Sequence, residues 1–286
     1  MKLLIPSNNL QFALYLTLQT SRTSKLRVVT YDRDKPFTKY TDRFVGVGGN
    51  NSNPRTIYLT FPQSPKWLVM MITNEDKTVG DAGFKLIGYP TPKGSLIPYK
   101  IIQLRKCDVW MDEETRNFAD FAQLFSKNAG FLQTNPPNDF YADSTGKFHI
   151  DFQDFIIDKQ TKTLVNTPAR VGHTTGIIHV SKQIFKDYTV PQRFIILLHE
   201  FSHKYINPKF GKNIENEFAA DINALYVYLG LGYPPIDARL VYLNVFNQQG
   251  VNPDLSLKRY QYIDDFITKF DSNKFSKCNT NYNTKK

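Results

Sequence analysis

Two histidines and a glutamate, set as His199-Glu200-Phe201-Ser202-His203, are the residues of this chain best spaced for chemistry. On an α-helix, His199 and His203 stand four apart and project from one face. Both imidazoles can then reach one ion at about 2.0–2.1 Å. Glu200 sits one residue round from His199. It does not join that pair easily, but it reaches a water held by the ion, where a general base is needed. With five His and six Glu in 286 residues, only about 0.002 accidental matches to this pattern are expected.

A second segment adds carboxylates. In Glu215-Asn216-Glu217-Phe218-Ala219-Ala220-Asp221, Glu217 and Asp221 are again four apart. The apolar stripe Ile214, Phe218, Ile222, Leu225 and Leu229 is expected to pack this helix on the first. The carboxylates would then face the histidines. No Cys is near in sequence, so two His and one carboxylate favour an open, catalytic metal site over a closed structural one.

HExxH followed by Glu217-xxx-Asp221 resembles the gluzincin branch of the zincin metallopeptidases, in compact form, over about residues 165–235. The resemblance implies one Zn2+ per chain held by His199, His203 and Glu217. Asp221 would accept a hydrogen bond from the far nitrogen of a liganding histidine, most simply His199, and Glu200 would be the base. Asp221 as the ligand is the main rival assignment, and Glu215 a weaker one. Such peptidases stabilise the tetrahedral oxyanion with a His, Tyr or Arg, for which Tyr226, Tyr228 and Arg239 are candidates. Only 13 residues separate His203 from Glu217, a short link for this group.

These residues need helices and an edge strand to position them. Thr189 is a suitable N-cap, and Pro191 fits the first turn of a helix over about 190–207. Further helices are expected at about 213–229, 235–248 and 254–271, with Gly230 to Pro235 ending the second. Asp112-Glu113-Glu114, ahead of Phe118, Phe121, Ala122 and Phe125, reads as the start of another helix, which Asn135 to Asn138 would end. Residues 140–170 read as extended or irregular. Ile177–Ser181 reads as a strand, expected to be the edge beside the cleft where a substrate peptide pairs. His173 and His179 lie near it, and His149 has no partner at ligand spacing.

The front of the chain differs. Phe12, Leu14, Leu16 and Leu18 alternate with polar neighbours, as do Ile57, Leu59 and Phe61, which is the period of half-buried strands. More strands are expected at 26–31, 67–73, 84–88 and 99–104. The fold class is therefore α+β: an antiparallel β domain, sandwich or barrel, over 1–110, a mainly helical zincin-like domain over 111–272, and a basic flexible tail over 273–286. Residues 1–110 hold 16 Lys+Arg and 7 Asp+Glu, a net of +9, against 20 and 19 beyond. That asymmetry suits an acidic protein or nucleic-acid partner. Cys107 and Cys278 are too far apart in sequence to suggest a disulfide framework.

The expected function is zinc-dependent hydrolysis of peptide bonds in a protein or peptide substrate. The alternative is an assembly component, virion-associated or from a mobile element, that carries a zincin-like domain. No secretory signal or transmembrane segment is read from the sequence, which suits a cytoplasmic or virion-associated setting.

Overall fold

The computed structural model describes residues 1–49, 54–76, 83–129, 139–158, 160–172, 174–206, 214–245, 253–272 and 277–278. Two compact units divide after Arg105: Met1–Arg105 and Lys106–Lys286.

The first unit is built of antiparallel strands. They are β1 (Lys2–Pro6), β2 (Phe12–Thr20), β3 (Ser24–Asp32), β4 (Lys39–Val47), β5 (Arg55–Phe61), β6 (Trp67–Asn74), β7 (Phe84–Ile87), β8 (Tyr89–Pro90), β9 (Leu96–Ile97) and β10 (Lys100–Ile102). One sheet runs β1-β6-β3-β4. The other runs β10-β2-β5, with β7 also on β2. The alternating residues Leu14, Leu16, Leu18, Leu26, Val28, Leu68, Met70 and Ile72 are completely buried. Each sheet thus has an apolar inner face and an outer face of mixed character. Arg43 reaches from one sheet to the other, donating to the Tyr58 carbonyl at 2.8 Å. The amino-terminal run forms two strands, since Asn8 and Asn9 adopt left-handed φ angles of 51° and 58° and turn the chain between β1 and β2. Strand β4 carries no clear alternation in its sequence.

The second unit contains β11 (Cys107–Asp108), α1 (Glu113–Asn128), β12 (Asp139–Ala142), β13 (His149–Gln153), β14 (Ile156–Ile157), β15 (Leu164–Val165), β16 (Ala169–Val171) and β17 (Ile178–Ser181). There follow α2 (Lys182–Phe185), α3 (Val190–Phe201), a π-helical turn (Ser202–Ile206), α4 (Ile214–Gly230), α5 (Pro235–Asn244), α6 (Pro253–Asp271) and β18 (Lys277–Cys278). Asp112 caps α1 by accepting from the Thr115 amide at 2.6 Å. Its Phe118, Ala122 and Phe125 enter the core, where Phe118 stacks on Phe201 of α3.

The main sheet here is ordered β12-β13-β17-β16. Two expectations change. Strand β17 is interior, pairing parallel to β13 and antiparallel to β16, so the edge on its side of the sheet is β16. Strand β16, Ala169–Val171, has only three residues, too few for a period to show in the sequence. Part of the expected free tail is ordered as well: Lys277–Cys278 pairs with β11, placing Cys278 opposite Cys107. Cys107 is disulfide-bonded. Separation of 171 positions along a chain says nothing about separation in space. The expected helix end at Asn135 to Asn138, most of the link between the two motif segments, and Lys274, Lys285 and Lys286 lie outside the described residues.

Candidate metal centre

Helix α3 carries the first half of the site. Thr189 and Gln192 form a reciprocal capping box at its start. Every residue of α3 except Gln192 is buried, and each large apolar side chain among them contributes about 1.5–3 kcal/mol of burial. A chain of such residues places His199 and Glu200 deep in the unit, 2% and 9% exposed. The helix widens into a π turn where His203 sits, and Ser202 there donates back to the Leu198 carbonyl at 2.8 Å. Single π turns inside helices recur at functional sites.

Helix α4 carries the second half. Its fully buried positions include Ala220, Asp221, Ala224, Leu225 and Tyr228. The apolar stripe expected from the sequence is rotated relative to this. Phe218 and Ile222 are only half-buried, and the Phe218 ring meets Tyr262 of α6 at 5.5 Å. Small residues at 220 and 224 leave room for helix contact, so the carboxylates at 217 and 221 reach the histidines. Gly232, at φ 86°, accommodates the left-handed turn that ends the helix.

His199, His203 and Glu217 converge, each offering an atom within 4.8 Å of the others. The two Nε2 atoms are 2.9 Å apart. Glu217 Oε2 is 3.5 Å from His199 Nε2, and Oε1 is 3.4 Å from His203 Nε2. Ligands about 2.1 Å from a tetrahedral ion lie roughly 3.4 Å from one another. The two imidazole–carboxylate distances match that spacing, the imidazole pair is tighter, and the N/N/O set could hold a metal ion. Asp221 is completely buried, and its Oδ1 is 2.9 Å from His199 Nδ1. It stands behind His199, a position that fixes the ring and presents Nε2 to an ion. Among the described side chains Asp221 is not grouped with the other three as a donor. The side chain of Glu215 lies outside the description.

One residue here had no signal in the sequence. Arg259 of α6 binds both Asp221 oxygens, through Nε to Oδ2 and from Nη2 to Oδ1 at 2.8 Å, and also donates from Nη2 to Glu217 Oε2 at 3.0 Å. A single guanidinium thereby orients the carboxylate ligand candidate and the carboxylate behind His199. It lies 38 positions from Asp221, in Lys258-Arg259-Tyr260, where no local pattern points to the site.

The electrostatics follow. Burial opposes charge on His199, but Asp221, Glu217 and Glu200 more than offset it and lift its pKa to about 9. Burial and the nearby His199 hold His203 down to about 4. Burial would raise Glu217, yet His199, Arg259 and His203 pull it down to about 2. Burial pushes Glu200 upward, partly countered by His199 and by the Val171 amide.

That amide matters for geometry. Val171 N–H donates to Glu200 Oε2 at 2.7 Å, tying the edge strand β16 to the carboxylate beside His199. The other sequence candidates are engaged elsewhere. The Tyr226 hydroxyl accepts from the Trp110 amide at 3.2 Å, the Tyr228 hydroxyl donates to the Pro234 carbonyl at 3.1 Å, and Arg239 pairs with Asp264 at 2.7 Å. His179 bonds Asp151 at 2.9 Å, and His149 stacks on Phe140. His173 lies outside the described residues.

Compared with family models, curated proteins and solved structures, the chain matches none.

Proposed function

We propose that the second unit is a zinc-dependent metallopeptidase of the gluzincin type. The observation that carries this reading is the convergence of His199, His203 and Glu217, from two helices, close to the spacing of a three-protein-ligand zinc site. Zinc bound there supplies a Lewis acid for the scissile carbonyl and lowers the pKa of water. The chain's own residues do the rest. Asp221 and Arg259 hold His199 and Glu217 in place. Glu200, raised by burial, is suited to take a proton from water and return it to the leaving amine. Among the described residues no strand pairs with the outer side of β16, so an extended peptide can add there by taking the Val171 N–H that Glu200 now holds. The substrate is accordingly a protein or peptide in extended form. The first unit, with its positive charge, is read as the part that docks on an acidic partner.

The test combines metal content with turnover. Purified protein is expected to carry about one zinc per chain by mass spectrometry, and His203→Ala to lose it. Glu200→Gln should keep the zinc and lose about 10²- to 10⁴-fold in peptide hydrolysis. Protein that takes up no zinc when it is offered removes the reading. Protein that takes up zinc and cuts nothing leaves the assembly-component alternative.

A further inference from the structure

A cleft of about 420 Å³ lies on the outer face of the sheet that carries the edge strand. Its floor comes from register. Asp151 of β13 is opposite His179 of β17, which is opposite Arg170 of β16. These three side chains share the face away from the helices, because their strand neighbours Ile150, Ile178, Val180, Ala169 and Val171 are buried on the other. One wall is the β14–β15 hairpin with Asp158 and Gln160, and the other is the turn between β16 and β17 with Thr175. Val171 also lines the cleft, and its amide is the group held by Glu200. The cleft therefore begins beside the carboxylate assigned as general base.

Among the described residues that line it, two carboxylates, Asp151 and Asp158, stand with one guanidinium, Arg170, and the His179 ring. Arg170 is committed to Asp158 at 3.1 Å, where the Gln160 and Thr161 amides also donate. Asp151 uses only Oδ2, toward His179 Nδ1. Among the described residues its Oδ1 takes no hydrogen bond, and its side chain is 35% exposed. An acidic guest would have to break the Arg170–Asp158 pair, whereas a basic guest meets an available carboxylate oxygen.

A peptide added to β16 turns every second side chain toward this face. We propose that the cleft is a specificity pocket for a Lys or Arg side chain of the substrate, one or two residues from the scissile bond, with Asp151 as its anchor. This rests on the peptidase reading, and the test separates the two. The zinc-loaded full chain is incubated with a synthetic peptide library in which every residue type is equally represented at each position, and the cut sites are read by mass spectrometry. Lys and Arg are expected to be enriched about tenfold at one position within two residues of the cut. Asp151→Asn should remove most of that enrichment by raising KM for basic peptides with little change in kcat. Gln160→Lys, on the exposed wall, should do the same without touching the sheet. Cutting with no basic preference, or a preference that both variants retain, overturns the pocket and leaves the peptidase standing. No cutting by zinc-loaded protein overturns both.

Discussion

At the scale of single residues, the site is a problem in protons. A metal ligand must be deprotonated, so zinc competes with whatever the metal-free site holds. Glu217, held near 2, is ionised at neutral pH, and His203, held near 4, is neutral. His199 differs, because its neighbours lift it to about 9, so it holds a proton at pH 7. Zinc uptake at pH 7 should therefore release about one proton, from His199. The measurement is calorimetric titration in buffers of different ionisation enthalpy. Apparent affinity should weaken about tenfold for each pH unit lowered from 8 to 6 and become flat above 9. Release of no proton at pH 7, or of two, contradicts this assignment of charge. The same sign governs the metal-free protein. A histidine raised from its ordinary 6.5 stabilises the fold fully below that value, and the contribution disappears as pH rises through 9.

At the scale of elements, the site depends on how α3 is held, and a buried charge does much of that. Arg193 is completely buried and donates to three backbone carbonyls: Phe185 at 3.0 Å, Lys186 at 2.7 Å and Ser126 at 3.2 Å. It thus fastens α3 to the carbonyl ends of α1 and α2. Arg193→Met keeps much of the volume and leaves those acceptors without their donor. A loss of roughly 3 kcal/mol is expected, which lowers Tm by about 6–12 °C in a unit of this size. A melting point within about 2 °C of the parent would contradict the fastening role. Arg193 also shows what sequence does and does not carry. The motif Glu200 with its histidines, the cap at Thr189 and the strands with clean alternation, such as β2, were legible because each is a local pattern. Arg193, Arg259 and the edge strand β16 were not, since each acquires its role from partners many positions away. Ile177–Ser181 reads as a strand, but its interior place in the sheet is not legible, because neither its pairing with β13 nor that with β16 leaves a mark in its own residues.

At the scale of the whole molecule, charge is divided as the fold is. The unit Met1–Arg105 carries 15 Lys+Arg and 6 Asp+Glu, a net of +9, while the remainder carries 21 and 20. The outer face of the β1-β6-β3-β4 sheet shows how part of that charge is displayed. Lys25 lies 4.2 Å over the exposed Phe44 ring, Arg27 is paired with Asp42, and Arg33 lies 5.2 Å over Trp67. Those aromatic faces already have cations on them, so base stacking is not the evident mode, and attraction between net charges is. No helix among the described residues is long and apolar enough to cross a membrane. The expectation is that the full chain binds a polyanion such as heparin, with affinity falling as salt rises. If three or four anionic groups are engaged, the logarithm of affinity should drop about three units per tenfold rise in salt. Lys25→Glu, on an exposed residue whose ammonium caps Phe44, should flatten that slope by about one unit and leave zinc content unchanged. Binding that ignores salt, or none at 50 mM, would mean that the +9 serves solubility alone and that the first unit meets its partner through shape.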